Sequence, residues 1–342
     1  MIFVERHVNC DLPCCLKRKA SQLPESPIER FDFAVSLWDH SLMALEDQRR
    51  TENVEGDFFV DQSCIDCDLC RQIAPDTFRQ IGEQSAVYEQ PTTAEAEIAA
   101  LKALITCPTA SIGDVGHRNA KQAVAAFPDR IEDNVYFCGF ASESSYGASS
   151  YFIKRDRGNV LIDSPRFARP LVKRIEELGG VKFMFLTHRD DVADHERWAT
   201  HFNAERIMHR SDIGPSTENI EHILVGREAV QLENELLMIP TPGHTRGHTV
   251  LLYRNQYLFS GDHVWWSPDY NSLYASPRVC WFNWDEQTRS MERLLDYDFK
   301  WVLPGHGRRH HAASAFQMRE NLKDCIERMK TRGSNRHSFL QS

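Results

Sequence analysis

The chain has 342 residues, 42% hydrophobic and 26% charged, with 40 basic residues against 49 acidic ones and a net charge of −9. That composition excludes a largely disordered or collagen-like chain, and the acidic balance excludes nucleic acid as the main ligand, because backbone phosphates are held by basic patches. No apolar run in the sequence approaches the roughly 20 residues needed to cross a bilayer, so no membrane partner is expected.

The length suits about two domains on an α/β plan. Residues 1–56 read as an N-terminal extension, partly helical over 28–48, where Phe31, Ala34, Leu37, Trp38 and Leu42 recur at helical spacing. Cys10, Cys14 and Cys15 lack a histidine or a second cysteine pair at ligand spacing and stay unassigned. A cysteine-punctuated module follows over 57–115, then a linker over 116–133, then strands alternating with helices over 134–330, and a flexible tail over 331–342. Strands are expected at 135–140, 150–154, 159–163, 181–187, 236–240, 249–253, 257–260 and 301–303, all apolar or β-branched runs bounded by turn signals. Helices are expected at 166–178, 194–202, 285–297 and 313–330. Ten cysteines are too sparse for a disulfide-stapled secreted domain. The first residues lack the apolar stretch of a secretory signal, so a cytoplasmic location is expected. The extension leaves an organelle such as a plastid open, although Glu5 and Asp11 fit poorly with an acid-poor transit peptide.

Cys64, Cys67 and Cys70 form a C-x2-C-x2-C run, and a Cys107-Pro108 pair follows 37 residues after Cys70. Four thiolates suit an iron–sulfur cluster or a tetrahedral zinc; zinc knots more often pair two separated C-x2-C hairpins, which favours iron–sulfur. In bacterial ferredoxins the C-x2-C-x2-C-x3-C-P run gives three thiolates to one cluster and its last cysteine to another. Here that last position is Ala74, before Pro75, the pattern of one surviving cluster. With Ile65, Leu69, Phe78 and Thr106, the segment resembles a single-cluster ferredoxin of the bacterial type. The resemblance implies an α+β ferredoxin-like domain in which Cys64, Cys67, Cys70 and Cys107 hold one 4Fe-4S cluster. Residues 51–130 carry 6 basic and 13 acidic side chains. Such a surface either steers a basic redox partner or simply stays solvated.

Further on, histidines and aspartates gather at expected strand ends: Thr187-His188-Arg189-Asp190-Asp191, Asp194-His195, Thr241-Pro242-Gly243-His244-Thr245-Arg246-Gly247-His248, Ser260-Gly261-Asp262 and Pro304-Gly305-His306-Gly307. Together they resemble the metallo-β-lactamase superfamily, which implies an αββα sandwich with two divalent metals at the open edge between its sheets. The superfamily's H-x-H-x-D-H motif is altered here: two extra residues separate His188 from Asp194-His195, and the second histidine is missing. Anchored on the strand end, Asp190 stands where that histidine would be, and Asp190 or Asp191 substitutes a carboxylate. The resemblance then implies His188, Asp190, His244 and Asp262 in the first site, and Asp194, His195 and His306 with a bridging Asp262 in the second. Asp194 and Asp262 are the expected catalytic carboxylates, and His248 is expected to be structural.

Two close cations acidify a shared water into a nucleophile near neutral pH and polarise a carbonyl, so the resemblance implies hydrolysis of a small-molecule substrate through a metal-bound hydroxide. A carboxylate in the first site moves preference from zinc towards iron or manganese. The aromatic-rich stretch with Trp265, Trp266, Tyr270, Tyr274, Trp281, Phe282 and Trp284 is expected to line the site mouth or to pack in the core. The motif spacing looks most like hydroxyacylglutathione hydrolases (glyoxalase II), which implies a thioester or other ester-like substrate. Two alternatives remain: a flavodiiron-like oxidoreductase fed electrons by the ferredoxin domain, and a redox sensor with a degraded metal site.

Overall fold

The structure, a computed structural model, describes residues 44–339. The helix expected over 28–48 lies outside the described residues apart from a 3-10 turn at Glu46–Gln48, and Cys10, Cys14 and Cys15 lie outside them altogether. Among the described residues no helix is long and apolar enough to cross a membrane.

The cysteine-rich module is small and mixed. Strand β1 (Phe58–Val60) pairs antiparallel with β4 (Ile112–Asp114), and β2 (Phe78–Ile81) with β3 (Gln84–Val87). A short helix, α1 (Leu69–Ile73), and a longer one, α2 (Ala94–Thr106), pack on each other. Thr93 starts α2 by accepting a hydrogen bond from the Ala96 amide at 3.2 Å, with Glu95 and Glu97 in the first turn where the helix dipole favours them. Pro108 stops it, because proline forces the preceding residue out of helical geometry; Cys107 accordingly has ψ 120°.

After α3 (Lys121–Ala125), a seven-stranded sheet runs β11-β10-β9-β8-β7-β6-β5. Its strands are β5 (Asp129–Glu132), β6 (Val135–Phe137), β7 (Tyr151–Ile153), β8 (Val160–Ile162), β9 (Phe183–Phe185), β10 (Glu205–His209) and β11 (His222–Leu224). The first four form an antiparallel meander, whereas β8 to β11 are parallel, and helices α4 (Arg169–Glu177) and α5 (His195–Phe202) cross between parallel neighbours. The sandwich therefore begins at Asp129, inside the stretch expected as a linker. The reason is a tight turn at Asp133-Asn134, with Asp133 at φ 47°, which folds β5 back on β6.

The second sheet has six strands in the order β12-β13-β14-β15-β18-β19. They are β12 (Val230–Glu233), β13 (Leu236–Pro240), β14 (Thr249–Tyr253), β15 (Tyr257–Gly261), β18 (Trp301–Pro304) and β19 (His310–His311). A separate hairpin joins β16 (Trp265–Ser267) to β17 (Ser272–Tyr274), and α6 (Trp284–Arg293) and α7 (Ala315–Phe339) follow. The α7 helix continues to Phe339, so most of the stretch expected as a flexible tail is helical.

Alternation along β13 to β15 and β18 makes the layers. Leu236, Met238, Leu251, Tyr253, Tyr257, Phe259 and Leu303 join one core with residues of the first sheet and with Leu171, Ile175 and Trp198 of its helices. Ile239, Val250, Leu252, Leu258 and Val302 face the other way, onto Trp284 and Met291 of α6 and Met318, Leu322 and Ile326 of α7. Period-two strands between two helical layers give an αββα sandwich. The first core does not stop at the sandwich: it runs on into Phe58, Val60, Leu69, Phe78 and Ala100 of the cysteine module. Phe127 lies between them, with the Lys102 ammonium of α2 over its ring and edge-on contacts with Phe137 and Phe140 of the sandwich. The module is thus packed onto the sandwich rather than tethered to it.

Candidate functional site

In the cysteine module, Cys64, Cys67, Cys70 and Cys107 line one small cavity walled by Val60, Ile65, Leu69 and Ile112. Cys64 and Cys67 come from the loop before α1, Cys70 from its first turn, and Cys107 from the end of α2. The loop reaches that shape through two left-handed residues, Asp66 (φ 59°) and Asp68 (φ 67°), each held by Arg71 at 2.6 and 2.5 Å. Burial, and then the neighbouring Cys107, pushes the Cys67 thiol up to about 12; burial also raises Cys70 and Cys107. Thiols in such surroundings ionise only against a cation in their midst, which suits a cluster of iron ions. The Ser111 amide donates to Cys107 Sγ at 3.3 Å, the kind of N–H···S contact that tunes a cluster.

In the sandwich, residues following β9, β13, β15 and β18 meet at one edge. Two overlapping groups bring ligand-type atoms within 4.8 Å of one another: His188, His244 and Asp262, and Asp191, Asp262 and His306. His188 Nε2 lies 3.7 Å from Asp262 Oδ2 and 3.9 Å from an oxygen of both Asp190 and Asp191. His244 Nε2 is 3.3 Å from Asp190 Oδ2 and 3.7 Å from Asp262 Oδ2. His306 Nε2 is 3.7 Å from Asp191 Oδ1 and 4.0 Å from Asp262 Oδ2. Three atoms here, His188 Nε2, Asp191 Oδ2 and Asp262 Oδ1, are buried with no hydrogen-bond partner. Such an orphaned set is costly unless a cation completes it, so the residues fit a pair of metal ions.

Neighbouring groups fix how the imidazoles point. The Val279 carbonyl, 2.5 Å from His244 Nδ1, can only accept, so Nδ1 carries the proton and the Nε2 lone pair faces the pocket. Thr187 Oγ1 lies 3.0 Å from both Asp163 oxygens and 2.9 Å from His188 Nδ1. The hydroxyl donates to the carboxylate and accepts from His188, again freeing Nε2. His248 Nε2 accepts from the Asp262 amide at 3.1 Å while its Nδ1 contacts Thr241 Oγ1 at 2.9 Å. Thr241 thus holds the ring from one side while Nε2 positions Asp262 on the other.

Electrostatics favour cations as well. Burial alone raises the Asp262 pKa, but His306, His188 and His244 outweigh it and hold the carboxyl low. Burial lowers His306, yet Asp262 and Asp191 carry it up to about 10. The hydrogen bond to His244 lowers Asp190 against burial.

Asp194 and His195 are not brought into this pocket. Asp194 accepts from the Phe167 amide at 2.7 Å and pairs with Arg197, while His195 contacts the Ser216 carbonyl at 3.0 Å and Arg206 at 3.2 Å. They open α5, and the two extra residues carry them past the pocket; Asp191, 1% exposed, stands by His306 instead. The aromatic stretch divides. Trp284 packs in the α6–α7 core, and Trp265 pairs with Tyr274 on the hairpin. Trp281, 61% exposed, lies over His244 at 6.2 Å between ring centroids. The amides of Trp281 and Phe282 both donate to the His244 carbonyl, at 2.9 and 3.0 Å, fixing this pair at the pocket mouth.

Residues 60–114 match the family described as the 4Fe-4S single cluster domain of ferredoxin I, so this module is a ferredoxin-like 4Fe-4S domain. Over 112 residues the chain is 35% identical to a hydroxyacylglutathione hydrolase of Enterobacter sp. (strain 638), covering 31% of this chain and 43% of that protein. The chain thus aligns with less than half the length of this curated relative. Similar solved structures include the DIM-1 metallo-β-lactamase exposed to ceftazidime, 19% identical over 57% of this chain and 95% of that one with a TM-score of 0.45. A metallo-β-lactamase from Pontibacter korlensis is 18% identical over 57% and 97%, with a TM-score of 0.44.

Proposed function

We propose that the chain is a metal-dependent hydrolase of metallo-β-lactamase type, acting on a small thioester or other ester-like substrate, with a fused 4Fe-4S ferredoxin domain. The observation that carries this reading is the shared Asp262: one buried carboxylate belongs to both ligand groups, the arrangement that lets two cations sit side by side with their repulsion screened. The relative named for hydrolysis of a glutathione thioester supports the substrate class.

In this reading His188, His244, Asp190 and Asp262 hold the first cation, and Asp191, Asp262 and His306 the second. When bound, the pair supplies Lewis acidity towards a carbonyl and an acidified water as nucleophile. The chain's own residues do the rest. Thr187 and Val279 hold His188 and His244 through Nδ1 with Nε2 forward. His248 sets the angle of Asp262. Trp281 offers an apolar wall on which an acyl or thiol portion can lie, excluding water from that side. Asp191 and Asp262, both buried, would offset the charge of the cations they hold.

A second reading has one observation in its favour. Asp190 stands beside His244 where an imidazole would be expected, as in flavodiiron-like sites that reduce oxygen or nitric oxide, and the ferredoxin domain packs directly on the sandwich. Metal analysis of anaerobically purified protein separates the two: four irons with about two zincs favour hydrolysis, about six irons favour redox chemistry. The deciding assay is turnover of an acylglutathione thioester without reductant. Hydrolysis that disappears in Asp262→Ala is the expected result; metal-loaded protein that turns over only when reduced would overturn the hydrolase reading.

A further inference from the structure

The loop that delivers His306 is held by the segment that carries the cluster cysteines. Asp68, between Cys67 and the start of α1, forms a two-pronged ion pair with Arg308, Nε to Oδ2 at 2.8 Å and Nη2 to Oδ1 at 3.0 Å. Gln72, on the turn of α1 after Cys70, donates through Nε2 to the Gly307 carbonyl at 3.2 Å. On the opposite flank Gly147 (φ 81°) lies against Cys67, where an added Cβ would come 2.8 Å from Cys67 Cβ and 3.3 Å from its Sγ. Two residues on, the Ser149 amide donates to the Gly305 carbonyl at 2.7 Å. Gly305 in turn backs onto the pocket carboxylates, with a Cβ there falling 2.8 Å from Asp191 Oδ2 and 2.9 Å from Asp262 Oδ1. Residues 305–308 are therefore bonded on one side by Asp68 and Gln72 of the cysteine segment and on the other by Ser149, two residues from the Gly147 that lies against Cys67. The four thiols are not bonded to one another, so without a cluster the left-handed conformations of Asp66 and Asp68 rest on their ion pairs with Arg71.

We infer that Asp68 and Gln72 are positioning residues for His306, so that the presence of the iron–sulfur cluster sets how well the second metal site is formed. This deepens the proposed function and rests on its metal-site assignment. A point charge can replace neither contact: the Arg308 fork matches a carboxylate that stays put only while the cysteine loop does. Coupling of this kind is reciprocal, so a filled second site must also protect the cluster.

The test uses the full chain and manganese, a hard ion that avoids the vacated thiolates of cluster-stripped protein. Two manganese sites are followed by the paramagnetic signal of the free ion, with Asp191→Asn marking which is the second. Stripping the cluster is expected to weaken the second site by about tenfold or more, the size of effect that outer partners of metal ligands carry, and to leave the first site little changed. Asp68→Asn, with the visible absorption of its cluster intact, is expected to show the same selective weakening, and Asp68→Glu partial recovery. In the wild type, manganese at the second site should slow bleaching of the cluster by a chelator, and in Asp68→Asn it should not. A general loss of stability would not separate the two sites in this way. Equal second-site affinity in loaded, stripped and Asp68→Asn proteins would overturn the inference. Amide exchange across 305–308, where the Gly305 amide bonds Gly261 at 2.9 Å and the Arg308 amide bonds Trp266 at 3.2 Å, decides the matter independently of any metal. Faster exchange in cluster-loaded Asp68→Asn supports the coupling, and unchanged exchange refutes it. A protein that binds no manganese but shows that faster exchange would remove the metal-site reading and keep the coupling.

Discussion

The backbone amide of Asp262 donates to Nε2 of His248 at 3.1 Å, so the last histidine of the T-P-G-H-T-R-G-H stretch orients a carboxylate instead of facing the pocket. Burial, and after it the nearby His188, keeps this imidazole neutral, with its pKa well below the ordinary value. The Asp262 oxygens are thereby pointed at His188, His244 and His306 together. Asp262→Ala is expected to lose both metals at once, because the two ligand groups share this residue. His248→Ala should instead weaken both by about tenfold, as an outer partner does. Titration with a chromophoric metal chelator distinguishes them, and full metal content in Asp262→Ala would remove the shared-ligand geometry.

Asp191, and not the Asp194 that motif spacing implies, stands beside His306. Asp191→Asn is expected to empty the second site while the first stays filled. Asp194→Ala breaks the bond to the Phe167 amide and the exposed pairing with Arg197 and should keep both metals, at a cost of about 1–2 kcal/mol in unfolding free energy. Metal content and urea unfolding of the two variants check this. Normal metal content in Asp191→Asn with depleted metal in Asp194→Ala would reverse the assignment.

The difference between those two aspartates shows where the sequence is readable and where it is not. Strands β13 and β14 coincide with the runs expected at 236–240 and 249–253, and a strand end fixes where the next residue goes. On such strand ends the resemblance to the metallo-β-lactamase superfamily implies that His188, His244, Asp262 and His306 come together. Asp190, Asp191, Asp194 and His195 lie on an irregular turn leading into α5, where direction depends on backbone angles that no periodicity encodes. Contacts from distant residues decide it: Phe167 and Arg206 draw Asp194 and His195 away. The strand at 205–209 also escaped, because Glu205-Arg206 at its start hides the buried run behind it and no glycine or proline marks its ends. The packing of the cysteine module onto the sandwich rests on pairings such as Asp68 with Arg308, 240 positions apart, which one sequence does not reveal.

The cluster cavity makes a separate prediction. Cys67→Ala is expected to abolish the broad visible absorption of an iron–sulfur centre, and an unchanged spectrum would take Cys67 out of the ligand set. Gly147→Ala probes the wall behind it. A side chain at φ 81° costs about 1–2 kcal/mol by itself, and its Cβ would press on Cys67. That variant should fold and bind a cluster that bleaches several times faster in air, measured by the decay of absorbance.

Asp163 gives the pH dependence its sign. It is buried, accepts from the Thr187 amide at 2.8 Å, and lies close enough to Asp191 and Asp262 to feel their charge. Burial first, and Asp191 second, raise its pKa well above the ordinary carboxyl value despite the bonds from Thr187. A folded-state pKa above the unfolded one means a proton taken up on folding. Its contribution to stability is complete below the unfolded value of about 4 and is lost as pH rises through the folded value. Asp163→Asn keeps an acceptor for the Thr187 amide and cannot ionise. In metal-free protein the variant should therefore gain in Tm relative to wild type as pH is raised from about 5 to about 8. Bound cations reverse the balance, because an ionised carboxylate behind His188 then offsets their charge. Metal-loaded wild type should accordingly outlast metal-loaded Asp163→Asn at the upper end of that range. Calorimetry at several pH values on both forms tests the pair of signs, and a Tm difference that does not change with pH in the metal-free proteins would show that Asp163 does not titrate there.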